Sequence, residues 1–144
     1  MSNIFFHSLI EPYLMNLFGI EKVVNANNNS LKDGINGGNV ILWIVVSTIL
    51  APLTEEISYR VCLFTILRKK SRIFAHLITA LVFGISHIFS TMVFGNYPQE
   101  IISICSYVAF SLILTIMYEK LKTPVPGIIV HMLCNFIFII FILV

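Results

Sequence analysis

Six polar residues in a strongly apolar sequence have the side chains that hydrolytic chemistry needs. They are Glu55, Glu56, Arg60, His87, His131 and Asn135. A carboxylate beside a histidine can take a proton from water, and imidazole and amide groups can stabilise the oxyanion that forms when water attacks a carbonyl. No HExxH sequence occurs, and no serine or cysteine with a nearby base stands out as a nucleophile. An activated water is therefore the simplest predicted nucleophile.

Glu55, Glu56 and Arg60 form the first group. Glu56 and Arg60 are four residues apart with the acid first, which is the order that favours an ion pair on a helix. Two adjacent carboxylates with one cation favour one carboxylate that accepts a proton near neutral pH, as a general base must. Taken alone, the Glu–Arg pair is also typical of a structural ion pair at a helix end near water.

The other candidates lie on later apolar segments. Phe83 and His87 share a helix face, and so do His131 and Asn135. His131 and Asn135 could together form an oxyanion hole, although a polar contact between membrane helices would use the same side chains. An ionisable residue costs about 2.5 to 3.5 kcal/mol at the centre of a membrane helix, which favours a functional use.

The composition predicts the class of protein that positions these residues. The 144 residues are 58% hydrophobic and only 11% charged, and the mean hydropathy is +0.93. A soluble domain is typically about half apolar and about a quarter charged. We therefore predict an all-α integral membrane bundle whose partner is the lipid bilayer. No basic patch interleaved with aromatic residues occurs, so nucleic acid is not a predicted partner.

Four apolar segments are long enough to be membrane helices. They are residues 40–67, interrupted by Pro52, and residues 73–94, 101–118 and 125–144. Residues 4–20 form a weaker segment, either a short helix or an interfacial one, and an Asn/Gly-rich loop follows at residues 25–39. The predicted division is a weak N-terminal segment with its loop at 1–38 and a transmembrane core at 39–144.

Two connections between the segments are basic. Six of the nine Lys and Arg residues lie in residues 68–72 and 119–124. The positive-inside rule places both connections in the cytoplasm, which makes the chain a multi-pass protein of the cell membrane. Counted from these connections, the candidate residues of all three groups lie about 7 to 15 residues into their helices, within one band of depth. His76 lies one turn from a basic connection and is set aside as interfacial.

Three motifs in this order resemble those of the CAAX prenyl protease and bacteriocin-processing (CPBP, or Abi) family of intramembrane proteases. The EExxxR motif is present as Glu55, Glu56 and Arg60, FxxxH as Phe83 and His87, and HxxxN as the His–Asn pair at 131 and 135. The resemblance covers roughly residues 43–138. Two departures stand out: Val61 follows the arginine where members usually have glycine, and members commonly have more helices.

The resemblance implies a role for each motif. Glu55 would be the general base that activates water, and His87 would help to position and deprotonate it. Glu56 and Arg60 would hold the geometry, and the HxxxN pair would stabilise the oxyanion. No obligatory metal or other cofactor is implied, and the substrate would be a peptide or membrane protein cleaved near the membrane.

Two other functions use the same residues. A catalytically inactive protein of this fold would act in bacteriocin immunity or regulation by binding a peptide or a membrane kinase. A metal or proton transporter would use the Glu and His residues as ligands or relays. A transporter should show an inverted repeat or matched broken helices, and only Pro52 interrupts a segment here.

Overall fold

The computed structural model describes residues 37–92 and 97–143, with six further positions at 13, 16, 17, 19, 33 and 34. In the two longer ranges the chain folds into four helices. They are α1, Val40–Arg68; α2, Arg72–Met92; α3, Tyr97–Leu121; and α4, Val125–Leu143. No strand occurs in the part that the structure describes. The predicted all-α bundle is confirmed, whereas the weak segment at residues 4–20 lies almost wholly outside the described residues.

The distribution of polar residues is the reverse of that in a soluble protein. Large apolar side chains remain exposed on every helix, as Ile41, Ile73, Ile113 and Leu133 illustrate. Charged and polar side chains are buried instead, which a soluble fold almost never does without need. By length and composition, Val40–Arg68 and Ser103–Leu121 can each cross a membrane, and shorter apolar stretches occupy Arg72–Ile88 and Val125–Ile140.

Helix α1 continues through Pro52, where the sequence predicted an interruption. Proline has no backbone N–H, so it removes a hydrogen bond from the helix that contains it. Just before Pro52 the helix widens into a π-helical stretch, Val46–Leu50, in which the N–H of Ala51 donates to the carbonyl of Val46. A second π-helical stretch, Ile57–Phe64, follows the two glutamates. The wider turns allow the helix to continue without a break.

Helices α2 and α3 pack closely around the apolar core. This core consists of Phe83, Ile88, Tyr107, Phe110 and Leu114. A Cβ atom on Gly84 would lie 2.8 Å from Cγ2 of Val108, so only glycine allows the two helices to approach this closely. Phe83 of the FxxxH motif is thereby held in the core, which also holds the backbone of α2 beside it.

The basic ends of three helices meet at Glu119. Its carboxylate accepts hydrogen bonds from Arg68 at 2.6 Å and from Arg72 at 2.9 Å, and it lies 3.0 Å from Nε2 of His76. The two basic connections therefore lie at the same end of the bundle, as the sequence predicted. His76, which the sequence predicted to be interfacial, is part of this network.

Candidate active site

The predicted site residues converge where α1, α2 and α4 meet. Glu55, Glu56 and Arg60 lie on α1, His87 on α2, and the HxxxN pair on α4. Glu56, Arg60 and the HxxxN pair are almost completely buried, while Glu55 and His87 retain some exposure. The structure thus links Glu55, Glu56, Arg60, His87 and His131 through short contacts, whereas Asn135 contacts the backbone of Ser47.

Glu56 lies at the centre of the cluster and binds two cationic or donor groups. Its Oε2 is 3.0 Å from Nε of Arg60, and its Oε1 is 3.0 Å from Nδ1 of His131. A buried carboxylate is tolerated when partners of this kind surround it. A Cβ atom on Gly127 would come within 3.2 Å of Oε2 of Glu56, so a glycine at this position of α4 leaves room for the carboxylate.

Arg60 joins this centre to α3 and to the FxxxH motif. Its Nη2 donates to the hydroxyl of Ser111 at 3.2 Å. The guanidinium carbon lies 4.9 Å from the centre of the Phe83 ring, within the range of a cation–π interaction. The guanidinium of Arg60 therefore contacts a carboxylate, a hydroxyl and an aromatic face without exposure to solvent.

His87 is fixed by the residue four positions before it. Its Nδ1 lies 2.8 Å from the carbonyl oxygen of Phe83, and its ring lies 4.3 Å from the Phe83 ring and 4.5 Å from that of Tyr107. A carbonyl oxygen can only accept, so Nδ1 carries the hydrogen and the neutral ring has its lone pair on Nε2. Both the ring and the carbonyl of the motif's phenylalanine are thus used to orient the histidine.

Glu55 faces the Nε2 atoms of both histidines. Its Oε2 is 3.8 Å from Nε2 of His87 and 3.7 Å from Nε2 of His131. These separations are too long for direct hydrogen bonds. Because Nδ1 of His131 donates to Glu56, the neutral His131 ring also has its lone pair on Nε2. Three acceptor atoms therefore face one another across a short gap.

Asn135 makes a contact that the sequence did not specify. Its amide nitrogen donates to the backbone carbonyl of Ser47 on α1 at 3.0 Å, in a buried position. In the π-helical register the donor for this carbonyl would be the N–H of residue 52, which is proline, and Ala51 donates to Val46 instead. The amide of Asn135 thus satisfies a carbonyl that Pro52 leaves without a backbone donor. The predicted oxyanion role stays a prediction.

Three participants were missed in the sequence. Ser111 is one of several hydroxyl residues in its apolar segment, Ser47 stands five residues before a proline, and Gly127 lies near the start of the last segment. The position of Ser47 before Pro52 is the one signal that could have been found, because a mid-helix proline leaves a preceding carbonyl without its donor. The other two depend on which helices become neighbours.

A metal site can be tested on the geometry of the side chains. In residues 37–92 and 97–143, no group of three or more His, Cys, Asp or Glu side chains is placed so that it could hold a metal ion. Glu55 and the two histidines are the nearest approach to such a set. The expectation of metal-independent chemistry stays a prediction.

The fold and this cluster of side chains define a membrane protein of the CAAX protease class. Residues 37–137 match the family described as type II CAAX prenyl endopeptidase Rce1-like, and the chain belongs to this family. The resemblance to CAAX proteases that the three motifs indicated is confirmed.

Two curated relatives are similar to most of this chain. The protein named "Putative membrane peptidase YdiL", from Bacillus subtilis, is 30% identical over 127 residues, which cover 88% of this chain and 45% of the relative. The UPF0177 protein YvdC of Lactococcus lactis is 29% identical over 118 residues, which cover 79% of this chain and 42% of the relative. The chain spans less than half the length of either protein. No solved structure matches it.

Proposed function

We propose that this chain is a multi-pass membrane peptidase that hydrolyses a peptide bond near the membrane, using a water molecule activated by Glu55 and His87. The observation that carries this proposal is the pair of acceptors formed by Glu55 Oε2 and His87 Nε2, which lie 3.8 Å apart. Such a pair needs hydrogen donors between its members. A water molecule supplies two, and polar groups more than about 3.5 Å apart can be bridged by a water.

The reaction follows from the donors and acceptors in place. Water gives one proton to the carboxylate of Glu55, with Nε2 of His87 as the second acceptor that orients it. The resulting hydroxide attacks the carbonyl carbon of the scissile bond, and the electron pair of the carbonyl moves to its oxygen. When the tetrahedral intermediate collapses, the carbon–nitrogen bond breaks and the proton on Glu55 passes to the leaving amine. No covalent enzyme intermediate is needed.

His131 can stabilise the oxyanion only in its charged form. Its Nδ1 already donates to Glu56, so Nε2 becomes a donor when the ring is an imidazolium. In that form the charges of the site balance, because the two positive charges of Arg60 and His131 would match the two negative charges of Glu55 and Glu56. Glu56 is therefore proposed to hold His131 and Arg60 in place, and His131 to act as the principal oxyanion donor.

Glu55→Gln is the direct test, because the amide keeps the shape of the side chain and loses its basicity. Purified protein in nanodiscs is offered membrane-proximal peptides that carry a fluorophore and a quencher. We expect Glu55→Gln and His87→Ala to abolish cleavage while circular dichroism and elution volume stay unchanged, and a chelator to leave the wild-type rate unaltered. Glu119→Gln, a buried carboxylate variant at the other end of the bundle, is the matched control and should retain cleavage. Full activity in Glu55→Gln would refute the proposal.

A binding protein without turnover is the second candidate. The contact between Asn135 and Ser47 favours it, because this amide is engaged with the backbone and is not directed at the three acceptors. In that case Glu55→Gln would preserve the cellular function. Arg60→Ala would instead destabilise the protein, because it removes the ion-pair partner of the buried Glu56.

A further inference from the structure

Helices α1 and α2 make a second polar contact beside the Glu55–His87 pair. The hydroxyl of Tyr59 donates to Oγ of Ser86 at 2.9 Å. Tyr59 follows Glu55 by four residues, and Ser86 directly precedes His87. The two contacts therefore join the same pair of helices about one turn of α1 apart. The hydrogen bond between Tyr59 and Ser86 limits how far Glu55 and His87 can separate.

Ser86 also contacts the group that orients His87. Its hydroxyl donates to the Phe83 carbonyl at 2.8 Å, and the same oxygen accepts the Nδ1 hydrogen of His87 at 2.8 Å. Tyr59, Ser86, Phe83 and His87 thus form one continuous chain of hydrogen bonds. Donation by Tyr59 polarises the Ser86 hydroxyl and strengthens its bond to the carbonyl, which accepts from both Ser86 and His87.

The position of the Ser86 hydroxyl bears on the tautomer of His87. Oγ lies 3.4 Å from Nδ1 of the ring, near enough for a small rotation to bring the hydroxyl hydrogen onto that nitrogen. Donation to Nδ1 would move the ring hydrogen to Nε2, and Nε2 would then no longer accept a hydrogen bond. The bond from Tyr59 holds Oγ at the carbonyl, where the hydroxyl does not compete for Nδ1.

We infer that Tyr59 and Ser86 are positioning residues that set the spacing between Glu55 and His87 and keep His87 in the tautomer with its lone pair on Nε2. Neither residue contacts the reacting atoms, and both act through His87. This inference rests on the proposed function for its consequence in catalysis. Its structural half, the tautomer of His87, stands without any turnover.

Tyr59→Phe tests the inference with little change in packing, because the phenyl ring keeps the edge contact with Phe83 at 5.2 Å. We expect kcat to fall about threefold to tenfold with KM unchanged, the range of one interhelical hydrogen bond in a membrane. Ser86→Ala should give a similar fall, the double variant should lose little more, and Ser86→Thr should restore the rate. Tyr118→Phe is the matched control, since its hydroxyl pairs with Thr65 at 3.3 Å near the basic end, and it should leave kcat unchanged.

The second readout is nitrogen NMR of ring-labelled histidine, which reports the tautomer directly. The chain has four histidines, so the signal lost in His87→Gln identifies the one of interest. We expect the wild type to carry the hydrogen on Nδ1, and Tyr59→Phe and Ser86→Ala to add a population with it on Nε2.

Two results would overturn the inference: unchanged His87 signals in both variants, or losses in rate that simply add in the double variant. If the wild type cleaves no peptide, the proposed function fails, and the NMR comparison alone still decides whether Tyr59 and Ser86 hold the tautomer.

Discussion

Substituting Asn135 by alanine separates the two roles that its amide could have. In the structure the amide nitrogen donates to the Ser47 carbonyl, which Pro52 deprives of a backbone donor. Leaving a buried carbonyl unsatisfied costs about 1 to 3 kcal/mol, while interhelical hydrogen bonds measured in membranes average about 0.6 and reach about 1.7 kcal/mol. We therefore expect Asn135→Ala to lower the free energy of unfolding by about 1 to 2 kcal/mol. Loss of an oxyanion donor would instead lower the rate by about 10²–10³.

The matched experiment changes the residue that creates the need for the amide. Pro52→Ala restores an N–H to α1, so the Ser47 carbonyl can be satisfied within the helix in either the α or the π register. In this background we expect Asn135→Ala to cost less than half of what it costs beside Pro52. Reversible unfolding in mixed micelles measures both costs, and peptide cleavage in nanodiscs measures the rate.

Equal costs in the two backgrounds would refute the claim that Asn135 serves a carbonyl left without its donor. An unchanged rate with a lowered stability would assign Asn135 to helix contact alone. A large loss of rate in both backgrounds would add the oxyanion role to it.

Two glycine variants and one topology measurement test the arrangement around the site. Gly127→Ala should reduce activity at least tenfold, because its Cβ would press on the carboxylate of Glu56 at 3.2 Å. Gly84→Ala should instead lower the thermal stability, since its Cβ would lie 2.8 Å from a side chain of α3 and not near the polar cluster. Equal effects of the two glycine variants on the activity of the folded fraction would contradict the assignment of Gly127 to the site and Gly84 to helix packing. Labelling of Ser71→Cys and Asn96→Cys in a cysteine-free background should give opposite accessibility across the membrane, with position 71 in the cytoplasm. Equal labelling from outside would contradict the predicted topology.

The convergence of the site was predictable because membrane helices of similar length leave few arrangements for buried charges. Glu55, His87 and His131 lie in one band of depth, and none can face lipid at low cost. The EExxxR spacing also predicted the pair of Glu56 and Arg60, which the structure confirms. Depth and spacing together were therefore enough to place the groups near one another.

The partners of each group could not be predicted in the same way. Sequence spacing does not indicate which glutamate forms a hydrogen bond with the histidine of α4. In the structure, Nδ1 of His131 donates to Glu56. Sequence spacing also does not indicate that the Ser111 hydroxyl accepts a hydrogen bond from Arg60, or that Glu119 accepts hydrogen bonds from arginines of two other helices. These contacts depend on the rotation of each helix about its axis, which side-chain periodicity leaves free within a turn.

The π-helical stretches of α1 have a consequence for the tolerated length of this segment. Helix α1 makes a hydrogen bond to a different partner at each of three levels along its length. The Ser47 carbonyl contacts Asn135, Glu56 contacts His131, and Arg68 contacts Glu119. An α-helix turns by about 100° per residue, whereas a π-helical stretch accommodates an additional residue in a wider turn without rotating the helix beyond it by that angle. One such stretch lies between each pair of successive levels or borders it. Deleting a single residue from either stretch should therefore return it towards α-helical pitch and keep the neighbouring levels facing their partners, whereas a deletion in the α-helical part Ala51–Glu56 should rotate the next level away from its partner by about 100°.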